Sequence, residues 1–302
     1  EEVPGSGSRR AGTVSGREVN REVRVWLVAV DLLTKGGDPA ERAVLYALAE
    51  AAALTGDLVV EHGNRSLSIA TGLDQSTVGR ILARLREAPS DRLLVDLVRP
   101  AEGVRAHSYA LVIPPLLRPA CEKKPWRRGR IHAVRPAFRD LGLVAAFVYA
   151  ALEQADEPRS GRDLAAAAGV GHTAAYDALA VLAARGLADK APTGGWILGS
   201  ASLPRLAEQF GVDEQVAAQI ARYRVERLAW WRYLGLVDAA PPTPEGQVVT
   251  ALDDWRRAPP DAGAPPGLPE RPLLRRGDDD VAELVALLGR VLGATVVERR
   301  RA

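Results

Sequence analysis

Apolar residues recur at helical spacing over residues 20–35, "NREVRVWLVAVDLLTK", and the Gly36-Gly37 pair ends the run. A second helix is expected over residues 39–54, because Pro39 suits a first helical turn and Gly56 stands just beyond the end. The stretch "SLSIATGLDQSTVGRILARLREA", residues 66–88, reads as two short helices broken at Thr71-Gly72-Leu73. The second opens at Asp74 and carries Gln75, Ser76, Thr77, Arg80 and Arg84 on its polar side. Two strand-like runs follow, "LLVDLVRP" and "SYALVIPP", and the "AEGVRAH" between them predicts a β-hairpin.

The pattern then repeats. "LSIATGLDQSTVGRILARL" from Leu67 aligns without a gap to "LAAAAGVGHTAAYDALAVL" from Leu164, at an offset of 97 throughout, which predicts an internal duplication. In both copies a small residue stands four before the turn glycine (Ser68 before Gly72, Ala165 before Gly169) and an apolar residue follows that glycine (Leu73, Val170). Apolar or small residues come six and nine after it, Val78 and Ile81 in one copy and Ala175 and Ala178 in the other. Close helix crossing explains the spacing: the small residue lets two helices touch, the glycine takes a left-handed turn, and the later positions face the core.

The second copy has its own preceding helix, "LGLVAAFVYAALEQ" from Leu141, and its own short hairpin, "GLADKAPTGGWILG". The predicted fold is therefore mainly α with small β wings: two tandem winged helix-turn-helix domains, over residues 20–118 and 138–200, plus C-terminal helices. Residues 1–19 hold too few apolar groups to bury and are expected to be a disordered tail. Residues 119–137 are expected to be a basic connector, and 201–238 a helical extension with a long helix over 213–234. Residues 239–277 read as a proline-rich linker, in which "QVVTALDDWRRA" could form a turn of helix, and 278–302 as a short helix with a basic tail.

Composition adds a few boundaries. A length of 302 residues with 47% hydrophobic content allows two ordinary cores. Cys121 is the single cysteine, so no internal disulfide is expected, and no CxxC or His/Cys cluster offers a metal site. The expected setting is reducing, cytoplasmic and nucleoid-associated, with no cofactor. No apolar run approaches the roughly 20 residues that span a bilayer, so no membrane contact is expected. The chain begins at Glu1 and has no methionine, from which a piece of a longer protein is expected. Nucleotide-loop, zincin and nucleophile-elbow motifs are lacking, so the chain itself is not expected to be an enzyme; catalysis would belong to a missing N-terminal portion. The net charge of +2 conceals a local excess, because "CEKKPWRRGRIHAVRPAFRD", residues 121–140, holds seven basic and two acidic side chains. Concentrated charge is what matters to a polyanion.

Residues at the start of the second helix of such a motif enter the major groove, which makes Asp74, Gln75, Ser76, Thr77, Arg80 and Arg84 candidates for base-edge or phosphate contact. Gly79, small at an expected exposed position, would permit close approach to a backbone. Asn64 and Arg65 open the preceding helix, where a phosphate could be clamped, and the hairpin tip carries Arg99, Arg105 and His107. An ordinary solvated surface is the plainer alternative at each place. The second copy offers His172, Thr173, Tyr176 and Asp177 but no basic residue before Arg185, which suits either weaker DNA contact or a packing or dimerisation surface. Between the copies, Lys123, Lys124, Arg127, Arg128 and Arg130 surround Trp126 in a strap that could follow phosphates, or simply be a solvated linker. Trp230, Trp231 and Tyr233, beside Arg222, Arg224, Arg227 and Arg232, could stack on single-stranded bases or pack against a neighbouring domain, a second subunit or a replication-protein partner.

A tandem of two winged helices joined by a basic connector resembles plasmid replication initiators, in which two modules read successive grooves of origin repeats. The wording "VVEHGNRSLSIATGLDQSTVGRILARLRE", with "LLVDLV" and "YALVIP", is also similar to helix-turn-helix regions in replication proteins of integrating elements from high-GC bacteria. The resemblance covers roughly residues 38–235. It implies recognition of double-stranded DNA at a replication origin, by Gln75, Ser76, Thr77, Arg80 and Arg84 with help from the wing and connector. A transcriptional regulator at a promoter would carry the same recognition chemistry, and a winged-helix protein-interaction scaffold would bind no DNA.

Overall fold

A computed structural model describes residues 16–102, 105–123 and 131–233, and it is mainly helical with two small antiparallel sheets. The first helix, α1 (Gly16–Leu33), begins inside the segment expected to be a disordered tail. Val19, Val23, Trp26, Leu27 and Val30 form one buried stripe, and keeping Val19 from water draws the helix four residues further toward the N-terminus. The Trp26 indole N–H donates to the Leu94 carbonyl at 2.9 Å, which ties α1 to the loop leading into the hairpin.

Helix α2 (Pro39–Thr55) starts and stops for local reasons. The Asp38 carboxylate accepts from the Ala40 amide, Pro39 occupies the first turn, and Gly56 closes the end with φ 69°. Along most of its length α2 is buried on every side, because it lies between two cores. Val44, Leu45 and Leu48 belong to the first core, and Ala43 to the second.

Strand β1 (Val59–Glu61), helices α3 (Asn64–Thr71) and α4 (Gln75–Arg86), and strands β2 (Val95–Arg99) and β3 (Ser108–Leu111) complete the first unit. The sheet order is β1-β3-β2, so the expected hairpin gains a third strand. Val60 and Leu97 both lie opposite Tyr109, which is fully buried at the centre of the sheet. At only three residues, β1 is too short for periodicity to reveal.

The stretch expected to be a free connector is largely built into the structure where it is described. Residues 118–123 form a short helix, α5 (Arg118–Lys123), whose Arg118 pairs with Glu22 of α1 at 2.7 Å. Residues 124–130, with Lys124, Trp126, Arg127, Arg128 and Arg130, lie outside the described residues. From Ile131 the chain is core again: Ile131 and Ala133 join the first cluster, Val134 and Ala137 the second.

The second unit contains α6 (Phe138–Leu141), α7 (Leu143–Leu152), α8 (Gly161–Ala168), α9 (His172–Ala184), β4 (Ala188–Lys190) and β5 (Trp196–Leu198). Its element order follows the first unit from α2 onward, with β1 replaced by a single antiparallel bridge between Arg159 and Trp196. The duplication extends beyond the aligned helices. Pro39-Ala40 and Arg42 recur at the same offset of 97 as Pro136-Ala137 and Arg139, and α2 and α7 end at Thr55 and Leu152, again 97 apart. The counterpart of Leu45 is Gly142, with φ 90°, and there the second copy's helix breaks into α6 and α7.

After a short helix, α10 (Leu203–Gln209), the long helix α11 (Val212–Tyr233) returns to the first unit. Val212, Val216, Ile220 and Tyr223 form a stripe that packs on Ile69 of α3. The expected linker, C-terminal helix and basic tail lie outside the described residues. Among the described residues no helix is long and apolar enough to cross a membrane.

Candidate nucleic-acid interface

Helix α4 is anchored from beneath by Val78, Ile81, Leu82 and Leu85, all buried, so its opposite side must face outward. Asp74 caps it by accepting from the Ser76 amide at 2.8 Å. Hydrogen bonds from Ser76, side chain first and backbone second, hold the Asp74 carboxyl below its usual range, with the positive charge of Arg222 adding to the effect. Gln75 and Thr77 are half-buried and Ser76 is exposed. Arg80 is exposed and donates to the Thr77 hydroxyl at 3.0 Å. Among the described residues no carboxylate forms an ion pair with Arg80.

Four of the other candidates, Arg65, Arg84, Arg99 and His107, are engaged. Arg84 pairs with Glu41 at 2.8 Å and Asp38 at 3.2 Å, which fastens the end of α4 to the start of α2. Arg65 pairs with Glu226 of α11 at 3.1 Å. Arg99 lies in β2 rather than at the hairpin tip, where it meets Glu61 at 2.6 Å and the Ser108 hydroxyl at 3.1 Å. His107 Nδ1 accepts from the Ala101 amide at 2.8 Å, and desolvation, followed by the charge of Arg86, pushes the ring's pKa down. It serves the hairpin as a neutral acceptor. Arg105 is exposed beside the hairpin tip, in an isolated bridge to Glu102, and Lys123 ends α5 as an exposed cation.

Gly79 serves a different purpose from close approach to a nucleic-acid backbone. A Cβ there would lie 2.9 Å from Asn64 Nδ2, so the space is already filled by α3. In the second copy the two positions exchange sizes. Gly161, the counterpart of Asn64, leaves room for Tyr176, the counterpart of Gly79, whose ring would stand 2.5 Å from an added Cβ. The helix crossing is thus conserved in space by one large and one absent side chain, placed on opposite helices. His172 and Thr173 are exposed at the start of α9, and the His172 and Tyr176 rings meet edge to face at 5.0 Å.

Sequence reasoning missed the part played by α11. Tyr223 is buried against α3, with its hydroxyl 3.0 Å from Ser68 Oγ, and Gln219 Nε2 donates to both oxygens at 3.1 Å. Trp230 is 39% exposed and Trp231 half-buried, while the Tyr233 side chain lies outside the description. The apolar stripe of α11 was legible as a pattern; nothing in it named α3 as the surface it covers. Compared with protein-family models, curated proteins and solved structures, the chain matches none.

Proposed function

We propose that this chain binds duplex DNA sequence-specifically through the first of two tandem winged helices, in replication initiation of a plasmid or integrating element. The observation that carries the reading is α4. It is rigidly seated by four buried apolar residues, and it turns Gln75, Ser76, Thr77 and Arg80, which forms no ion pair among the described residues, toward solvent beside a three-stranded sheet. The order helix, strand, helix, helix, hairpin with sheet order β1-β3-β2 supports the winged-helix assignment of the first unit. The duplicated order supports that of the second.

Gln75 is suited to a bidentate contact with adenine and Arg80 to a base edge or a phosphate. The wing contributes Arg105, and the basic connector is proposed to add sequence-independent phosphate contacts through Lys123, Lys124, Arg127, Arg128 and Arg130. The replication role rests on the family resemblance of residues 38–235.

The test is binding of the full chain to random and genomic duplexes across a salt series, with enriched fragments sequenced. Salt-dependent binding with enrichment of origin sequences is expected. Gln75→Ala should chiefly relax sequence preference and Arg80→Ala weaken specific binding by about 1–3 kcal/mol. Replacing Arg127 and Arg128 by alanine should weaken all duplexes and flatten the salt slope. Promoter fragments in place of origins would make the protein a regulator. Absence of binding at low salt would overturn the DNA reading.

A further inference from the structure

Helix α11 gathers two arginines around one aromatic ring. Tyr223 is buried against α3 with its hydroxyl held by Ser68 and Gln219, so the ring is fixed in place. Arg65 of α3 lies 5.7 Å from the ring centre and Arg222 of α11 lies 5.2 Å from it. The Glu226 carboxylate spans the pair: Oε2 meets Arg65 Nη2 at 3.1 Å, and Oε1 faces Arg222 Nε at 3.8 Å. Two guanidinium groups from different helices therefore share a single carboxylate. Arg222 keeps 59% of its side-chain surface in water.

The group stands beside the start of the recognition helix. Ser68 Oγ donates to the Leu73 carbonyl, so the Tyr223 hydroxyl is two hydrogen bonds from the residue that precedes Asp74. Arg222 is near enough that its charge, after the hydrogen bonds from Ser76, helps hold the Asp74 carboxyl low. Asp74 itself is engaged in capping α4, which leaves Glu226 as the carboxylate between the two arginines. A phosphodiester resembles that carboxylate in the features guanidinium groups recognise: one negative charge shared by two acceptor oxygens. Partly exposed ion pairs contribute little to stability, so exchanging one anion for the other costs the fold little.

We propose that a backbone phosphate of the duplex takes the place of Glu226 between Arg65 and Arg222, so that α11, a helix beyond both units, supplies a phosphate contact beside α4. The inference rests on the DNA reading above and adds a site to it. A phosphate held there carries no sequence information; it fixes the register in which Gln75, Ser76, Thr77 and Arg80 meet the bases. Glu226 is the occupant of the site in the free protein and competes with the phosphate for it. Binding therefore includes the release of one internal ion pair.

The test uses the full chain and a duplex enriched from random sequence. Arg222→Ala should weaken binding to all duplexes several-fold at low salt and flatten the salt slope by about one, with sequence preference unchanged. Arg222→Lys should keep most of the slope, which separates loss of charge from loss of fold. Glu226→Gln, which keeps the shape and removes the competing charge, should bind several-fold more tightly, and adding Arg222→Ala to it should remove most of that gain. Ethylation interference provides a positional readout: one phosphate flanking the bases read by α4 should block the parent when ethylated and lose that effect with Arg222→Ala. An unchanged slope and interference pattern in Arg222→Ala, or no gain in Glu226→Gln, would overturn the site while Gln75→Ala still relaxed the preference of a DNA-binding chain. Failure of the parent to bind any duplex would remove the DNA reading and this inference with it.

Discussion

Arg65 shows how a residue of suitable chemistry can be committed elsewhere by its neighbours. Its guanidinium lies against Glu226 and 5.7 Å from the centre of the Tyr223 ring, at a partly exposed site where such a pair contributes about 0.5–1 kcal/mol. Glu226→Ala should therefore cost little stability and free a cation at the start of α3. Affinity for duplex DNA should rise several-fold at low salt and the salt slope steepen by about one, as a titration of variant and parent side by side would show. His62 supplies a second residue-scale prediction. Burial lowers its pKa from 6.5 to about 4, so between those values the unfolded chain binds a proton that the folded chain does not. Its contribution to stability is intact above about pH 6.5 and falls as pH drops toward 4, by at most about 3 kcal/mol. Urea unfolding at pH 7.5 and 4.5 should show a larger loss for the parent than for His62→Gln; equal losses would mean that other groups carry the acid sensitivity.

Among elements, α2 is the one on which both units depend. Arg42 donates to two carbonyls of the α8 turn, those of Ala168 and Gly169, and the second also accepts from the Gly36 amide. Arg42→Ala should destabilise the fold by roughly 2–4 kcal/mol, because it leaves the Ala168 carbonyl without its donor, while Gly169 keeps the Gly36 amide, and opens space beside Phe147. Arg84→Ala is the matched control: it loses two ion pairs at a mostly exposed site and should cost about 1 kcal/mol or less. Denaturant midpoints of the two variants measure the difference. The elements themselves were largely legible in sequence. Periodicity placed α3, α4, α9 and α11 within a few residues, because each has one buried stripe, and Pro39 and Gly56 placed the ends of α2. Strand β1 and the start of α1 were not, since a three-residue strand and a sparse first turn acquire their meaning only from Tyr109 and from the core around Trp26.

For the whole molecule, the duplication was visible as a repeated pattern, yet its consequences depended on how the copies pack. The alignment from Leu67 covered the paired helices; the recurrence of Pro39, Ala40 and Arg42 as Pro136, Ala137 and Arg139 stood out only once α6 and α7 were seen to occupy the place of α2. The exchange of Asn64 and Gly79 for Gly161 and Tyr176 is similar. Read along the chain, Gly79 is a gap open to a ligand; across the crossing, it is the socket for Asn64. Of the candidate contacts, Gln75, Ser76, Thr77 and Arg80 kept the outward placement expected of them. Arg65, Arg84, Arg99 and His107 found partners on other elements.

What the sequence determined by itself is what local chemistry controls: which segments are helical, where glycine or a capping carboxylate ends them, which face of α4 is apolar, and that the pattern occurs twice. These follow from interactions among residues a few positions apart. The tertiary structure alone decided which arginines remain available, which surface α11 covers, and that α2 of one unit packs against α7 of the other. Each of these depends on pairs separated by dozens of residues, from the 43 between Glu41 and Arg84 to the 161 between Arg65 and Glu226, and the spacing along the chain does not encode such pairs.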